Sequence, residues 1–201
     1  MDCQITTIIL TFNEELHIER AIKSAKKISN QIFIVDSYSN DETLNICKKY
    51  QVEIIQNKFI NQAKQFNWAL KKLSIKNPWI LKLDADEYLE EKLIDEIKDK
   101  LPNLPENVFG ISFNRKHIFM GKWIKFGGRY PLTLLRIWRN GYGEVEDKWM
   151  DEHVIIKKGS IIKFKNNFVD NNINNLNFFI NKHNKYATRE AIEILVKKYN
   201  L

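Results

Sequence analysis

Ile5 to Leu10 is a run rich in β-formers, after which Leu16, Ile18, Ala21, Ile22 and Ala25 recur near helical spacing. Asn13 and Glu14 stand where a helix cap belongs, so the chain reads as strand, then helix. The unit repeats. Ile32 to Val35 predicts a second strand ending at Asp36, followed by a polar turn (Ser37 to Asn40), a capping Asp41 and a helix carrying Leu44, Ile46 and Cys47. Val52 to Ile55 and Trp79 to Leu83 predict two further strands, Asn61 to Leu73 and Glu90 to Lys100 two further helices. Strands alternating with helices need crossover connections, which predicts an α/β fold with a mostly parallel sheet covered on both faces over residues 1–101.

After Pro102 and Pro105 the pattern changes. Val108 to Phe113, Thr133 to Trp138 and Val154 to Ile156 read as antiparallel strands, separated by a Gly and aromatic stretch (Gly121, Trp123, Gly127, Gly128). Residues 102–165 thus form a mixed second half of the same domain, and 166–201 a helical extension. In the extension, Asn166 to Asn177 reads as a loop or linker, and Leu176, Phe179, Ile180, Ala187, Ala191, Ile194 and Leu195 as one or two amphipathic helices able to lie on the body.

The composition, 44% hydrophobic and 28% charged, excludes disordered and disulfide-framework classes. No apolar run approaches the length of a membrane span and no secretory leader opens the chain, so a cytoplasmic protein is expected, with Cys3 and Cys47 as free thiols. The net charge of +7 is concentrated late, since residues 157–201 hold nine Lys or Arg against three Asp or Glu. Such a tail suits an anionic partner, whether nucleic acid or a membrane surface, or is simply a solvated helix face.

Ligands of doubly wound sheets sit at the carboxyl ends of the strands, where Thr11 and Asn13, Asp36, and Asp84 with Asp86 fall. The first turn, Thr11-Phe12-Asn13-Glu14-Glu15, lacks the glycines of a dinucleotide site, so side chains must hold the ligand. Asp84-Ala85-Asp86 places two carboxylates in a turn where they can share Mg²⁺ or Mn²⁺ with phosphate oxygens. Tyr88 and Leu89 stand where an EF-hand loop needs a ligand and a glycine, which excludes that motif. The bland alternative is that Asn13 and Glu14 only cap a helix and Asp36 a turn.

Thr-Phe-Asn-Glu-Glu at Thr11 to Glu15, Val-Asp-Ser-Tyr-Ser-Asn-Asp-Glu-Thr at Val35 to Thr43, and Leu-Asp-Ala-Asp-Glu at Leu83 to Glu87 together resemble glycosyltransferase family 2. Gly-Gly-Arg-Tyr-Pro at Gly127 to Pro131, Leu-Arg-Ile-Trp-Arg-Asn-Gly at Leu135 to Gly141, Asp-Glu-His at Asp151 to His153 and Lys-His-Asn-Lys-Tyr-Ala at Lys182 to Ala187 resemble its lipopolysaccharide core β-glucosyltransferase branch. The resemblance implies the GT-A fold. It also implies a uracil and ribose pocket from Thr11, Asn13, Glu14 and Asp36, with Gln65 and Asn67 reaching the nucleotide from the third helix. Relatives often carry a basic residue at the place of Phe66, for which Lys64 substitutes as a phosphate contact. Asp84 would lie near the ribose and Asp86 would ligate the metal bridging the diphosphate.

Displacement at an anomeric carbon needs a base for the acceptor hydroxyl proton; Asp151 or Glu152 is the candidate, Asp151 being taken first. His153 would orient the base or touch the metal; Arg129, Arg136 and Arg139 would meet phosphate; Trp123, Tyr130 and Trp138 would stack on sugar or pack in the core. The expected activity is inverting, metal-dependent transfer of a hexose, glucose from UDP-glucose, onto a lipopolysaccharide or lipooligosaccharide core. The basic final helix would rest peripherally on anionic lipid, or pack on the sheet. Alternatives are a transferase using another donor and acceptor, a nucleotidyltransferase using the same carboxylates, and a basic nucleic-acid-binding module.

Overall fold

A computed structural model of the chain describes residues 3–148 and 152–199. Strands β1 (Ile5–Thr11), β2 (Ser29–Asp36), β3 (Glu53–Gln56) and β4 (Trp79–Asp84) alternate with helices α1 (Ile18–Ala25), α2 (Thr43–Lys49) and α3 (Gln62–Lys72). A short β5 (Glu87–Leu89) and α4 (Glu91–Lys100) follow, then β6 (Val108–Phe119), β7 (Lys122–Trp123), β8 (Leu132–Arg139), β9 (Gly143–Val145), β10 (Val154–Ile156), β11 (Ser160–Asn171) and α5 (Leu176–Tyr199).

Among the described residues, nine strands share one sheet in the order β3-β2-β1-β4-β8-β6-β11-β5, with β7 on β6, while β9 and β10 pair separately. β1 to β4 run parallel, as the alternation requires. The order steps outward from β1 to β3 and then returns to β4 on the other side of β1, which opens a crevice at the carboxyl ends of β1 and β4. Side chains alternate between two cores. Ile5, Ile9, Ile34, Leu81 and Leu83 pack with Ile18, Ile22, Leu93 and Ile97 on one face; Ile8, Val35, Ile80 and Trp138 pack with Phe66 and Ala69 on the other.

β8 crosses antiparallel between β4 and β6, and its register against β6 steps from Ile111 opposite Ile137 to Ser112 opposite Leu135. Arg136 is therefore the extra residue of a β-bulge, a device that re-aims a side chain. Here it turns a guanidinium towards the crevice.

The reading of Asn166 to Asn177 as a linker is corrected over its first half: Asn166 to Asn171 complete β11, which crosses the 165/166 position and pairs with β6 and β5. Polar asparagines fit a strand here because the register against β6 slips between Lys163 and Asn167. The buried Glu96 carboxylate fills the slip, accepting from the Lys165 and Asn166 N–H groups and from Asn166 Nδ2 at 2.8–3.1 Å. β6 likewise runs past the expected Phe113 to Phe119, and β5 is too short for a periodic signal. The final segment is one helix. It meets the body through Phe179 on Phe119 (ring centroids 4.7 Å) and through Lys182, whereas Ile192, Ile194, Leu195, Val196 and Tyr199 remain exposed.

Candidate active site

At the ends of β1 and β2 the polar residues satisfy one another. Asn13 adopts φ 54°, donates its N–H to Ser39 Oγ (2.8 Å) and accepts from the Asn40 N–H (2.9 Å). Asp36 is fully buried; its carboxylate accepts from the Ser39 hydroxyl, the Ser39 N–H (3.0 Å) and Gln56 Nε2 (2.9 Å). Gln65 donates to Ser37 Oγ (3.2 Å) and accepts from Asn57 Nδ2 (2.8 Å), tying the loops after β2 and β3 together. Asp36 and Gln65 thus fix the loops at the carboxyl ends of β2 and β3. The buried Thr11 Oγ1 has no hydrogen-bond partner among the described residues, which makes it the unsatisfied polar atom of this end.

The turn after β4 is built from opposed charges. Lys82 and Asp84 follow Ile80 on one face of β4, and Lys82 Nζ donates to Asp84 Oδ1 at 3.1 Å. The bulged Arg136 reaches Asp84 Oδ2 (3.6 Å) and donates to Glu87 Oε1, while Glu87 Oε2 accepts from the Asp84 N–H (3.0 Å). Burial works to raise the Asp84 carboxyl, but the Lys82 ammonium and Arg136 guanidinium outweigh it and hold it at about 2. Burial pushes Glu87 the other way, with the Asp84 charge adding to it against Arg136. Asp84 is thus the ionised partner of a cationic cradle.

Asp86 faces elsewhere. Its Oδ2 accepts from Asn172 Nδ2 (3.1 Å) and lies 3.6 Å from Lys182 Nζ, and its backbone carbonyl accepts from Arg20 (3.1 Å). Glu14 bonds His17 Nδ1 (2.6 Å); His17 Nε2 in turn accepts the Ile173 N–H (2.9 Å), pinning the chain before α5 to the first turn. Burial raises the Glu14 carboxyl despite that bond.

Asn67 does not face the nucleotide crevice: its amide donates to the Val145 carbonyl (2.6 Å) and accepts the Val145 N–H (2.9 Å). It holds the β9–β10 hairpin, whose connection carries Glu152. Gly143 makes the close approach possible, because a Cβ there would lie 2.6 Å from the Trp138 ring. Glu152 is half-buried within the field of Lys82, Asp84 and Arg136; burial raises its carboxyl, against the pull of Lys82. Asp151 lies outside the described residues. His153 is mostly exposed, 3.9 Å from Glu146.

The expected Arg139 contact is corrected. Arg139 sits opposite Trp79 at the far end of β4, its Nε donating to the Val108 carbonyl (2.8 Å), so it cannot reach a ligand at Asp84. Trp138 is fully buried against Phe66, which makes it core. Lys64 and Arg129 are exposed. Trp123 and Tyr130 pack edge to face at 5.0 Å, with the Tyr130 hydroxyl on Asn167. Lys82 and Asn172 were not singled out from sequence, and Glu87 and Lys182 stood in quoted motifs without a role. A lysine inside the apolar run Trp79 to Leu83 was the signal available for the first.

Among the described residues no group of three or more His, Cys, Asp or Glu side chains forms a metal cage. Mg²⁺ and Mn²⁺ need none, since one or two carboxylates plus substrate phosphates and water complete their shell. Asp86, part-exposed beside the crevice, fits that donor set, whereas Asp84 is engaged by Lys82 and Arg136.

Comparison with known proteins identifies the family and the fold. A relative from Rickettsia typhi, an uncharacterised glycosyltransferase, is 38% identical over 95 residues, which cover 47% of this chain and 32% of that protein. The dTDP-rhamnosyl transferase RfbG of Shigella flexneri is 29% identical over 182 residues, 82% of this chain and 58% of the relative. The chain thus spans between a third and three fifths of these relatives. Among solved structures, S. aureus TarS matches 86% of this chain and 37% of its own with a TM-score of 0.53 at 15% identity, a likeness of fold. Its 1–349 fragment matches 70% of this chain and 47% of its own with a TM-score of 0.52 at 19% identity. The description "Glycosyl transferase family 2" matches residues 6–165, so the chain belongs to that family of glycosyltransferases and has its GT-A fold.

Proposed function

We propose that the chain is the catalytic domain of an inverting hexosyltransferase that moves glucose from UDP-glucose to a lipopolysaccharide or lipooligosaccharide core acceptor. The observation that carries this reading is the charged turn at the crevice between β1 and β4, where Asp84 is held ionised by Lys82 and Arg136 with Asp86 beside it. The loops fixed by Asn13, Asp36 and Gln65, with the unsatisfied Thr11 hydroxyl, form the nucleoside end. A divalent cation on Asp86, when bound, supplies positive charge to the leaving diphosphate. Asp151 or Glu152 is the base; of the two, Glu152 lies among the described residues, in the field of Lys82, Asp84 and Arg136, with its carboxyl raised by burial. The base takes the acceptor hydroxyl proton as that oxygen bonds to the anomeric carbon and the bond to the nucleoside diphosphate breaks, inverting the centre.

The RfbG relative favours a second donor, dTDP-rhamnose. Nucleoside diphosphate release from UDP-glucose and dTDP-rhamnose, measured with a truncated lipooligosaccharide acceptor, decides between them. Release from UDP-glucose alone is expected; release from neither, with acceptor and Mn²⁺ present, overturns the reading. The nucleic-acid alternative would instead give binding that falls steeply with salt and ignores Asp86.

The lipid-anchored acceptor places the protein peripherally at the inner face of the cytoplasmic membrane. Support comes from the exposed apolar residues of α5, Ile192, Leu195 and Tyr199 among them, interspersed with basic side chains. Co-sedimentation with anionic liposomes should fall when Ile192, Leu195 and Tyr199 are replaced by Ser, and unchanged binding would contradict the placement. Among the described residues, no helix is long and apolar enough to cross a membrane.

A further inference from the structure

Among the described residues, the cation paired with the Asp86 carboxylate comes from the last helix. Lys182 lies within the first two turns of α5, one third exposed, with Nζ 3.6 Å from Asp86 Oδ2. Its ammonium also stands in the field of Glu14, Asp84 and Asp170. This placement is held from several sides. Asn172 binds Asp86, the Ile173 N–H binds His17, Phe179 packs on Phe119, and Tyr186, one turn on, lies beside the lysine with its ring centroid 5.8 Å from Nζ. A flexible surface pair would need none of these anchors.

We propose that Lys182 is a donor-site residue that contacts the diphosphate of the bound nucleotide and makes divalent-cation binding at Asp86 depend on that nucleotide. The inference rests on the donor reading above. An ammonium 3.6 Å from Asp86 repels a second cation arriving alone. A diphosphate reverses the balance, because its anionic oxygens accept charge-assisted hydrogen bonds from the same ammonium while neutralising the metal. Lys182 therefore opposes metal alone and favours metal together with nucleotide. Its presence on α5 also makes the helix a wall of the donor crevice.

The test is titration calorimetry of the full chain and its Lys182→Met and Lys182→Arg variants with MnCl₂ alone, with uridine, and with UDP in excess Mn²⁺. In Lys182→Met, UDP affinity should fall about tenfold or more, the scale of one charge-assisted hydrogen bond. Uridine affinity should be unchanged and Mn²⁺ affinity equal or tighter, while Lys182→Arg keeps UDP affinity within about threefold of the intact protein. Unchanged UDP affinity in Lys182→Met overturns the proposal by making the contact a plain ion pair. Tighter UDP binding overturns it by making Lys182 a plug. If the intact protein itself ignores UDP with Mn²⁺, the donor reading falls and takes this one with it.

Discussion

The two ends of the crevice are made of the same kinds of residues used in opposite ways. After β1 and β2, Ser39 links Asn13 to Asp36 and Gln65 bonds Ser37 and Asn57, so the Asp36 carboxylate is held by neutral donors. After β4, charges outnumber neutral contacts, with Lys82 and Arg136 on Asp84, and Lys182 on Asp86. The first end is built for shape, the second for charge. Substitutions at the first should therefore act mainly through folding, and those at the exposed edge of the second mainly through function.

The largest expected effect is on rate. Glu152→Gln should lower transfer by about 10² to 10⁴-fold while UDP affinity stays within about twofold. Because burial raises the Glu152 carboxyl, the intact enzyme should lose rate as pH falls through that raised value, and the variant should lose this dependence. A rate within threefold of the intact enzyme would remove Glu152 from the chemistry.

Arg136→Ala tests the buried part of the charged end. It leaves Glu87 without its cation and Asp84 with Lys82 alone, and should destabilise the fold by about 3 to 5 kcal/mol in urea titration. The Asp84 carboxyl is held at about 2 against an ordinary 3.8, so its share of stability is present above about pH 4 and lost as pH falls towards 2. In the variant, acid unfolding should begin at higher pH. Asp36→Ala at the neutral end should cost less, about 2 kcal/mol, because it strands two N–H donors and a hydroxyl without stranding a charge. A cost above that of Arg136→Ala would invert the comparison. Lys64→Ala, at an exposed position, should change stability by less than about 0.5 kcal/mol and UDP affinity by less than about threefold.

The β1 to β4 half was legible because buried parallel strands and amphipathic helices each leave a periodic trace. β11 left none, since its polar half is stabilised by Glu96 on a distant helix, a contact that no local pattern encodes. The acidic turn was legible as a motif, and Arg136 and Lys182 were visible as residues, yet their pairing with Asp84 and Asp86 was not. Arg136 owes its direction to a one-residue bulge, and Lys182 reaches Asp86 across nearly a hundred residues of chain. Arg139 misses the crevice and Trp138 takes its core alternative for a shared reason: both lie beyond the bulge, where β8 passes the far end of β4.

The central claim is that Asp86 and a divalent cation hold a nucleoside diphosphate at this crevice. Thermal unfolding with UDP, GDP or CMP, each with Mn²⁺ or with EDTA, tests it in the intact protein and in Asp86→Ala. Ligand at a hundredfold its Kd adds about 2.7 kcal/mol, or roughly 5 to 10 °C for a domain of this size. The account predicts that shift for UDP with Mn²⁺ in the intact protein, and its loss in EDTA or in Asp86→Ala. An equal shift in Asp86→Ala, or none with any nucleotide, would contradict it.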